Sequence, residues 1–495
     1  MKTTHSYLNL FSVPMMIVSL ILLLPAASCH RPQTVHAADE SIRIDERSPW
    51  YWNYKGKTML LLGGSWQDNL FNHPGGLEDH LDVMLSVGGN YVRNTMSHRN
   101  VGNVFAYARN DDGLFDLDTF NDEYWDRFSR FLQMTYDRDI IVQIEIWDPW
   151  DLYIDHQSFG GWSHNPFNPA NNVNYTAEES GLPEVIDYEP TGRPSPHPFF
   201  RTVPALDDNQ LVLGYQQAFV NKLLSISLPY PHVLYCMHNE TGEKVDVGDY
   251  WAAWVGEQAQ QAGRTIYITD MRRNELVRSP DHTHIFDRPE RYTFVDISQN
   301  NAFPGIGQGH YDNILWVREY IADHPRPVNN NKNYGAFRHG EEESVARMGR
   351  MIFAGCAGAR FHRPHPIEDP SGMYEKSEFG LGLNPRAQKL IKSLRMATDK
   401  LDMALVYPRN DLLHDREDNE AYLLAEPGRQ YALYFPGAGS VNLDMSGASG
   451  QWQVRWINLD EAAWSASGQV QAGEQVRITS PGEGHWVVVM LPEAP

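Results

Sequence analysis

The chain has 495 residues, 42% of them hydrophobic, and a formal net charge of -22 from 63 acidic against 41 basic side chains. That length suits a large barrel with a small appended module, and the acidic balance argues against nucleic acid or a broadly anionic membrane as partner, since both are held through clustered Lys and Arg. With 3 Cys in the whole chain, neither a disulfide framework nor a Cys-based metal site is expected.

The N-terminus carries Lys2 and His5, an apolar run over 11–24 and the small residues Ala26, Ala27 and Ser28 before Cys29. A basic start, an apolar middle and a small-residue end predict a secretory signal peptide within a leader over 1–38. The alternative is an uncleaved anchor helix, for which the apolar run is short. Ala-Ala-Ser before Cys29 is similar to a bacterial lipoprotein site. A secreted or periplasmic protein is expected, with an outer-membrane lipid anchor at Cys29 as a variant of the same reading.

After the leader, strand-like apolar runs over 59–62, 91–93, 140–147, 233–237, 265–268, 293–296, 327–330 and 359–362 alternate with helical patterns over 77–85, 124–136, 211–228, 250–262, 313–324 and 342–353. That alternation is the signature of repeated βα units. It predicts an α/β fold, a (β/α)8 TIM barrel over 39–408. A doubly wound open sheet is the rival, but no glycine-rich phosphate loop follows any strand. The segment 148–206 is too long for a plain connection and is expected to be functional. From 409 to 495, short alternating segments divided by Gly, Pro, Asp and Ser predict a small antiparallel β-sandwich.

Parallel barrels keep their chemistry at the C-terminal strand ends. The run 233–237 leads into Asn239 and Glu240, which makes Glu240 the first candidate for a catalytic acid. The alternative is a Glu that caps the next helix or pairs with a nearby cation. The other strand ends add Arg93, Glu145, Asp148, Asp151, Asp270, Arg272, Arg273, Asp296, Lys332, His362 and Arg363 to one rim. Trp147 and Trp150 flank Asp148 as a candidate sugar-stacking wall. In the long insertion, Trp162, His164, Asn168, Tyr175, Phe199 and Phe200 suit a carbohydrate cleft, against a loop folded on its own aromatic cluster. The histidines fall into no compact ligand motif, so neither a catalytic metal nor a cofactor is expected.

Gly89-Asn-Tyr-Val-Arg93 followed by Asn239-Glu240 resembles the clan of retaining (β/α)8 glycoside hydrolases. Tyr431-Ala-Leu-Tyr434, Val454-Arg-Trp456-Ile-Asn458 and Gly484-His-Trp-Val-Val-Val489 are similar to the small β-domain, named for collagen binding in a collagenase, that follows the barrel in apiosidase-like members. The resemblance implies Glu240 as general acid/base, Asn239 as a contact to the sugar 2-hydroxyl and Arg93 at the floor of the site. Glycosidic cleavage needs a second carboxylate, and the place where the family keeps a nucleophilic Glu is held here by Lys332. Asp148 is the first choice for that partner, ahead of Glu145, Asp270 and Asp296. Substrate contacts are expected from Arg93, Asn239, Trp147, Trp150, Asp270, Asp296, Lys332, His362 and Arg363. Lys332 either neutralises the carboxylates or donates to an acidic sugar. Three functions remain open: a hydrolase of a plant or algal poly- or oligosaccharide, a non-catalytic carbohydrate-binding barrel, and a polysaccharide lyase with Lys332 or a His as base.

Overall fold

A computed structural model describes residues 40–100, 102–153, 161–186, 196–301, 306–334, 340–363 and 380–493. The expected leader, Cys29, His156 and His365 lie outside the described residues. Eight parallel strands carry the core: β1 (Leu61–Gly64), β2 (Tyr91–Thr95), β3 (Ile141–Trp147), β4 (Val233–His238), β5 (Ile268–Thr269), β6 (Val295–Asp296), β7 (Val328–Asn333) and β8 (Gly358–Phe361). A helix follows each: α1 (Leu77–Ser86), α2 (Asp122–Tyr136), α3 (Gln210–Ser227), α4 (Val245–Gln261), α5 (Pro280–Phe286), α6 (Gly307–Tyr320), α7 (Gly340–Phe353) and α8 (Pro385–Thr398). The strand β3 reads Ile-Val-Gln-Ile-Glu-Ile-Trp and is buried throughout, as a parallel strand covered on both faces must be. Asn121 caps α2 by accepting from the Glu123 N–H, and Asn384 caps α8 before a first-turn proline.

The barrel predicted from the strand count differs in one respect: its hydrogen-bond ladder does not close. The strands form two arcs, β5-β4-β3-β2 and β6-β7-β8-β1. At one seam Asn90 N donates to Leu62 O at 2.8 Å, and at the other Phe294 N donates to Ile268 O at 3.4 Å. The second seam is open because β5 and β6 are only 2 residues each. At the first seam the backbones come too close for side chains: a Cβ on Gly63 would lie 1.9 Å from the Tyr91 carbonyl oxygen.

An N-terminal hairpin (Trp52–Tyr54 paired with Lys57–Met59) covers the strand starts. Its Trp52 is buried, donates through Nε1 to Asn329 Oδ1 at 3.0 Å and packs edge-on against Tyr267 and Phe294. With that end stoppered, the C-terminal strand ends are left for chemistry.

The tail forms two antiparallel sheets. Six strands run in the order β9 (Tyr407–Pro408), β11 (Tyr422–Glu426), β12 (Gln430–Phe435), β17 (Trp486–Pro492), β14 (Gln451–Asn458), β15 (Ala463–Gln471). Three more pair as β10 (Leu413–His414), β13 (Ser440–Leu443) and β16 (Val476–Thr479). Leu423, Leu433, Phe435, Leu443, Trp452 and Ile478 fill the space between them. The other face of the larger sheet, with Tyr422, Leu424, Tyr434, Val487 and Val489, joins the hydrophobic core of the barrel. A Cβ on Gly349 in α7 would stand 2.2 Å from the Tyr434 ring, so helix and sheet meet without a gap. The β-layer is therefore fused to the barrel through a shared core.

Candidate active site

β4 ends at His238, and the chain leaves it through Asn239 and Glu240, whose φ is 56°. A left-handed residue other than glycine costs roughly 1 kcal/mol or more. That turn brings two consecutive side chains to Lys332, whose ammonium donates to Asn239 Oδ1 and to Glu240 Oε1. Tyr334 donates its hydroxyl to the same Oε1 at 2.5 Å, and Trp150 Nε1 donates to Oε2 at 3.1 Å. Burial alone would push the Glu240 carboxyl up, but the Lys332 ammonium and the Tyr334 hydroxyl outweigh it and bring the group down to about 2. Glu240 is thus a buried, ionised carboxylate.

Asp148, just past the end of β3, is its neighbour of opposite character. Asn239 Nδ2 donates to Asp148 Oδ1 at 2.8 Å and the Trp150 N–H to the same oxygen at 3.2 Å. Arg99 Nε lies 3.1 Å from Oδ2. Burial dominates here: with Asp151 and Asp68 adding repulsion, it overrides Arg99 and Asn239 and pushes Asp148 up to about 6. The two carboxylates share Trp150 as a partner, Asn239 links Asp148 to Lys332, and their surroundings push the two pKa values in opposite directions.

Arg93 and Glu145 form the floor. Arg93 Nε donates to Glu145 Oε1 at 2.8 Å and Nη2 to Oε2 at 2.5 Å, a bidentate pair with both side chains fully buried. The remaining arm of Arg93 donates to Asp68 Oδ1. Asp68 also accepts from Arg99 Nη2 at 2.9 Å and Arg363 Nε at 2.7 Å. Burial would raise its pKa, but Arg93, Arg363, His362 and Arg99 together hold it well below the usual carboxylate range. His362 packs edge-on against Tyr334, with ring centroids 4.6 Å apart. Asp68, Arg99 and Tyr334 were not singled out from the sequence: Asp68 and Arg99 lie in irregular loops after β1 and β2, where no periodicity marks them.

Three expected contacts fall elsewhere. Asp270 accepts from His238 Nδ1 at 2.8 Å and Arg272 Nη1 at 3.2 Å, and its Oδ2 abuts Gly248 of α4, on the helix side of the strands. Asp296 lies inside the barrel, accepting from Gln143 Nε2 at 2.9 Å, Asn331 Nδ2 at 2.7 Å and the Ser298 hydroxyl at 2.5 Å. The Trp147 ring packs among Phe199, Phe219 and Trp251, between β3 and the helices, so Trp150 alone of the two meets Glu240. The described part of the insertion folds on its own aromatic cluster: buried Trp162 packs against His197 and Phe199, and Asn168 and Asn172 spend their amides on backbone carbonyls. Among the described residues no cluster of three or more His, Cys, Asp or Glu is arranged to hold a metal ion, and no helix is long and apolar enough to cross a membrane.

No family model and no curated protein matches the chain. Solved structures do. The fold is similar to that of a glycoside hydrolase family 5 protein from Bacteroides vulgatus, with a TM-score of 0.60 at 14% identity, covering 92% of this chain and 94% of that one. It is similar also to a second glycoside hydrolase, with a TM-score of 0.62 at 13% identity over 92% and 97% of the two chains. At such identity the likeness is one of architecture: the chain has the α/β fold of solved glycoside hydrolases over nearly its full length.

Proposed function

We propose that the protein is a glycoside hydrolase whose reaction centre is the pair Asp148 and Glu240. The observation that carries this reading is the opposite perturbation of two buried carboxylates on neighbouring strand ends, since a group pushed up and a group pushed down supply the acid and the anion that glycoside cleavage requires. The resemblance implied Glu240 as the acid. Its contact with the Lys332 ammonium and the Tyr334 hydroxyl favours the anionic role instead, which leaves the proton to Asp148. In that scheme Asp148 passes its proton to the leaving glycosidic oxygen as the bond to the anomeric carbon breaks. Glu240 then either attacks that carbon or takes the proton of an attacking water. Arg93 and Glu145 hold the floor, while Asn239 and Trp150 fix the two carboxylates relative to each other.

The test is release of reducing sugar from a panel of plant and algal poly- and oligosaccharides, apiose-bearing glycans included. Wild type is expected to cleave at least one, and Glu240→Gln and Asp148→Asn to lose at least about 100-fold, the usual share of a general acid or base. The ion pair between Lys332 and Glu240 favours one second reading, a barrel that binds sugar without cleaving it. A wild type that is retarded by glycan in affinity electrophoresis yet releases no sugar from any substrate would establish that reading and sink the hydrolase. Lys332 is disfavoured as a lyase base, because its ammonium is engaged by the Glu240 carboxylate. Secretion through the leader completes the proposal, and mass spectrometry of the exported protein would locate the cleavage and any lipid on Cys29.

A further inference from the structure

Behind Asp148, outside the strands, the described residues line a cavity of about 50 Å³ between the end of β3, the helices α2 and α3 and the insertion. Its walls are aromatic: Tyr107, Tyr124, Trp147, Phe167, Phe199 and Phe219. Three polar atoms of residues lining it are buried and have no hydrogen-bond partner: Trp147 Nε1, the Tyr107 hydroxyl and His98 Nε2. An unmet buried group of this kind costs about 1–3 kcal/mol, which a polar atom bound in the cavity would offset.

The chemistry narrows what that occupant is. Trp147 Nε1 can only donate, and the Tyr107 hydroxyl donates readily. His98 Nδ1 lies 2.8 Å from Asp151 Oδ2, so that ring nitrogen is spent on the carboxylate. Two donors suit an oxygen with two lone pairs. Asp151, which also lines the cavity, disfavours an anion. The aromatic walls favour a methyl group over a further hydroxyl. A neutral carbonyl bearing a small alkyl group suits the two donors and the aromatic walls. Asp148 lines the cavity and also accepts from Asn239 in the reaction centre, so the cavity borders that centre.

We propose that this cavity is a specificity pocket for an O-acyl substituent of the glycan, such as an O-acetyl group, with the ester carbonyl accepting from Trp147 and Tyr107 and the methyl group lying on the aromatic walls. The proposal rests on the glycan-acting reading of the same site.

It is tested with one polysaccharide in two forms, partially O-acetylated and alkali-deacetylated. Binding is measured by affinity electrophoresis and cleavage as kcat/KM. Wild type is expected to prefer the acetylated form about tenfold or more, the discrimination a pocket gives for a group that fills it. Ala106→Leu, which fills the cavity, should bring the ratio of the two forms close to one. Tyr107→Phe removes a single oxygen and should lower the ratio several-fold, which keeps the test decisive if Ala106→Leu does not fold. Cleavage by wild type without preference overturns the pocket and leaves the hydrolase, the cavity then holding water only. Preferential binding of the acetylated form without cleavage sinks the hydrolase and supports the pocket. A chain that neither binds nor cleaves either form overturns both.

Discussion

Lys332 is the residue on which the reading of the site turns. Its ammonium is buried at 1% exposure and touches both Asn239 and Glu240. At such a depth a charge is tolerated only when paired, so the pair fixes Glu240 as an anion. The signs then define a pH profile. Glu240 must be ionised, so the rate falls as pH drops toward about 2, and Asp148 must be protonated, so the rate falls as pH rises through about 6. An acidic optimum is expected in a pH–rate profile, and Asp148→Asn should abolish the upper limb. Lys332→Met should move the lower limb up, because Glu240 loses its strongest partner, and should cost about 3–5 kcal/mol by leaving a buried carboxylate unpaired. Chemical denaturation checks the second effect. In wild type, a Glu240 pKa held below its usual 4.5 contributes stability that is present above that pH and lost as pH falls toward about 2, and this acid sensitivity should shrink in the variant.

At the scale of elements, close backbone approach decides where side chains are forbidden. Gly63→Ala would drive a Cβ into the Tyr91 carbonyl at the seam between β1 and β2. Such overpacking typically costs 1–3 kcal/mol or more, and a matching fall in the denaturation midpoint is expected. Gly349→Ala would do the same to Tyr434 where α7 meets the β-layer. Since Gly349 lies away from the strand ends, its variant should lose Tm while kcat holds, which a thermal melt beside an activity assay would show. The helices α2 and α3 were legible in the sequence because their apolar residues recur with helical period over 15 and 18 residues. Helix α5, 7 residues long, and α8 were not assigned. The first is too short to show a period.

At the scale of the molecule, the β-layer completes the barrel. Of the three tryptophans that would have to be exposed for the layer to bind glycan, Trp452 and Trp456 are buried and Trp486 is half-buried, and the Tyr434 hydroxyl bonds His485 Nδ1 at 2.8 Å while His485 Nε2 lies 3.0 Å from Glu342 Oε2 of α7. A chain ending at residue 408 would leave α7 and α8 with uncovered apolar surface, which calls for aggregation in size-exclusion chromatography rather than a monodisperse barrel. A soluble, cleaving barrel of that length would show the layer to be dispensable. The order of eight strands, the all-β tail and the places of Asp148, Asn239 and Glu240 just past a strand end were legible in the sequence, because hydrophobic period and strand-end position are properties of neighbouring residues. Distances in the folded chain alone show that Asp270 and Trp147 turn toward the helices, that Asp68 and Arg99 join the centre, and that Lys332 pairs with Glu240 while Asp148 meets Asn239 and Arg99. Those outcomes depend on distances between residues far apart in the chain, and a carboxylate's charge is set by what lies within a few ångströms of it and by how much water it has lost.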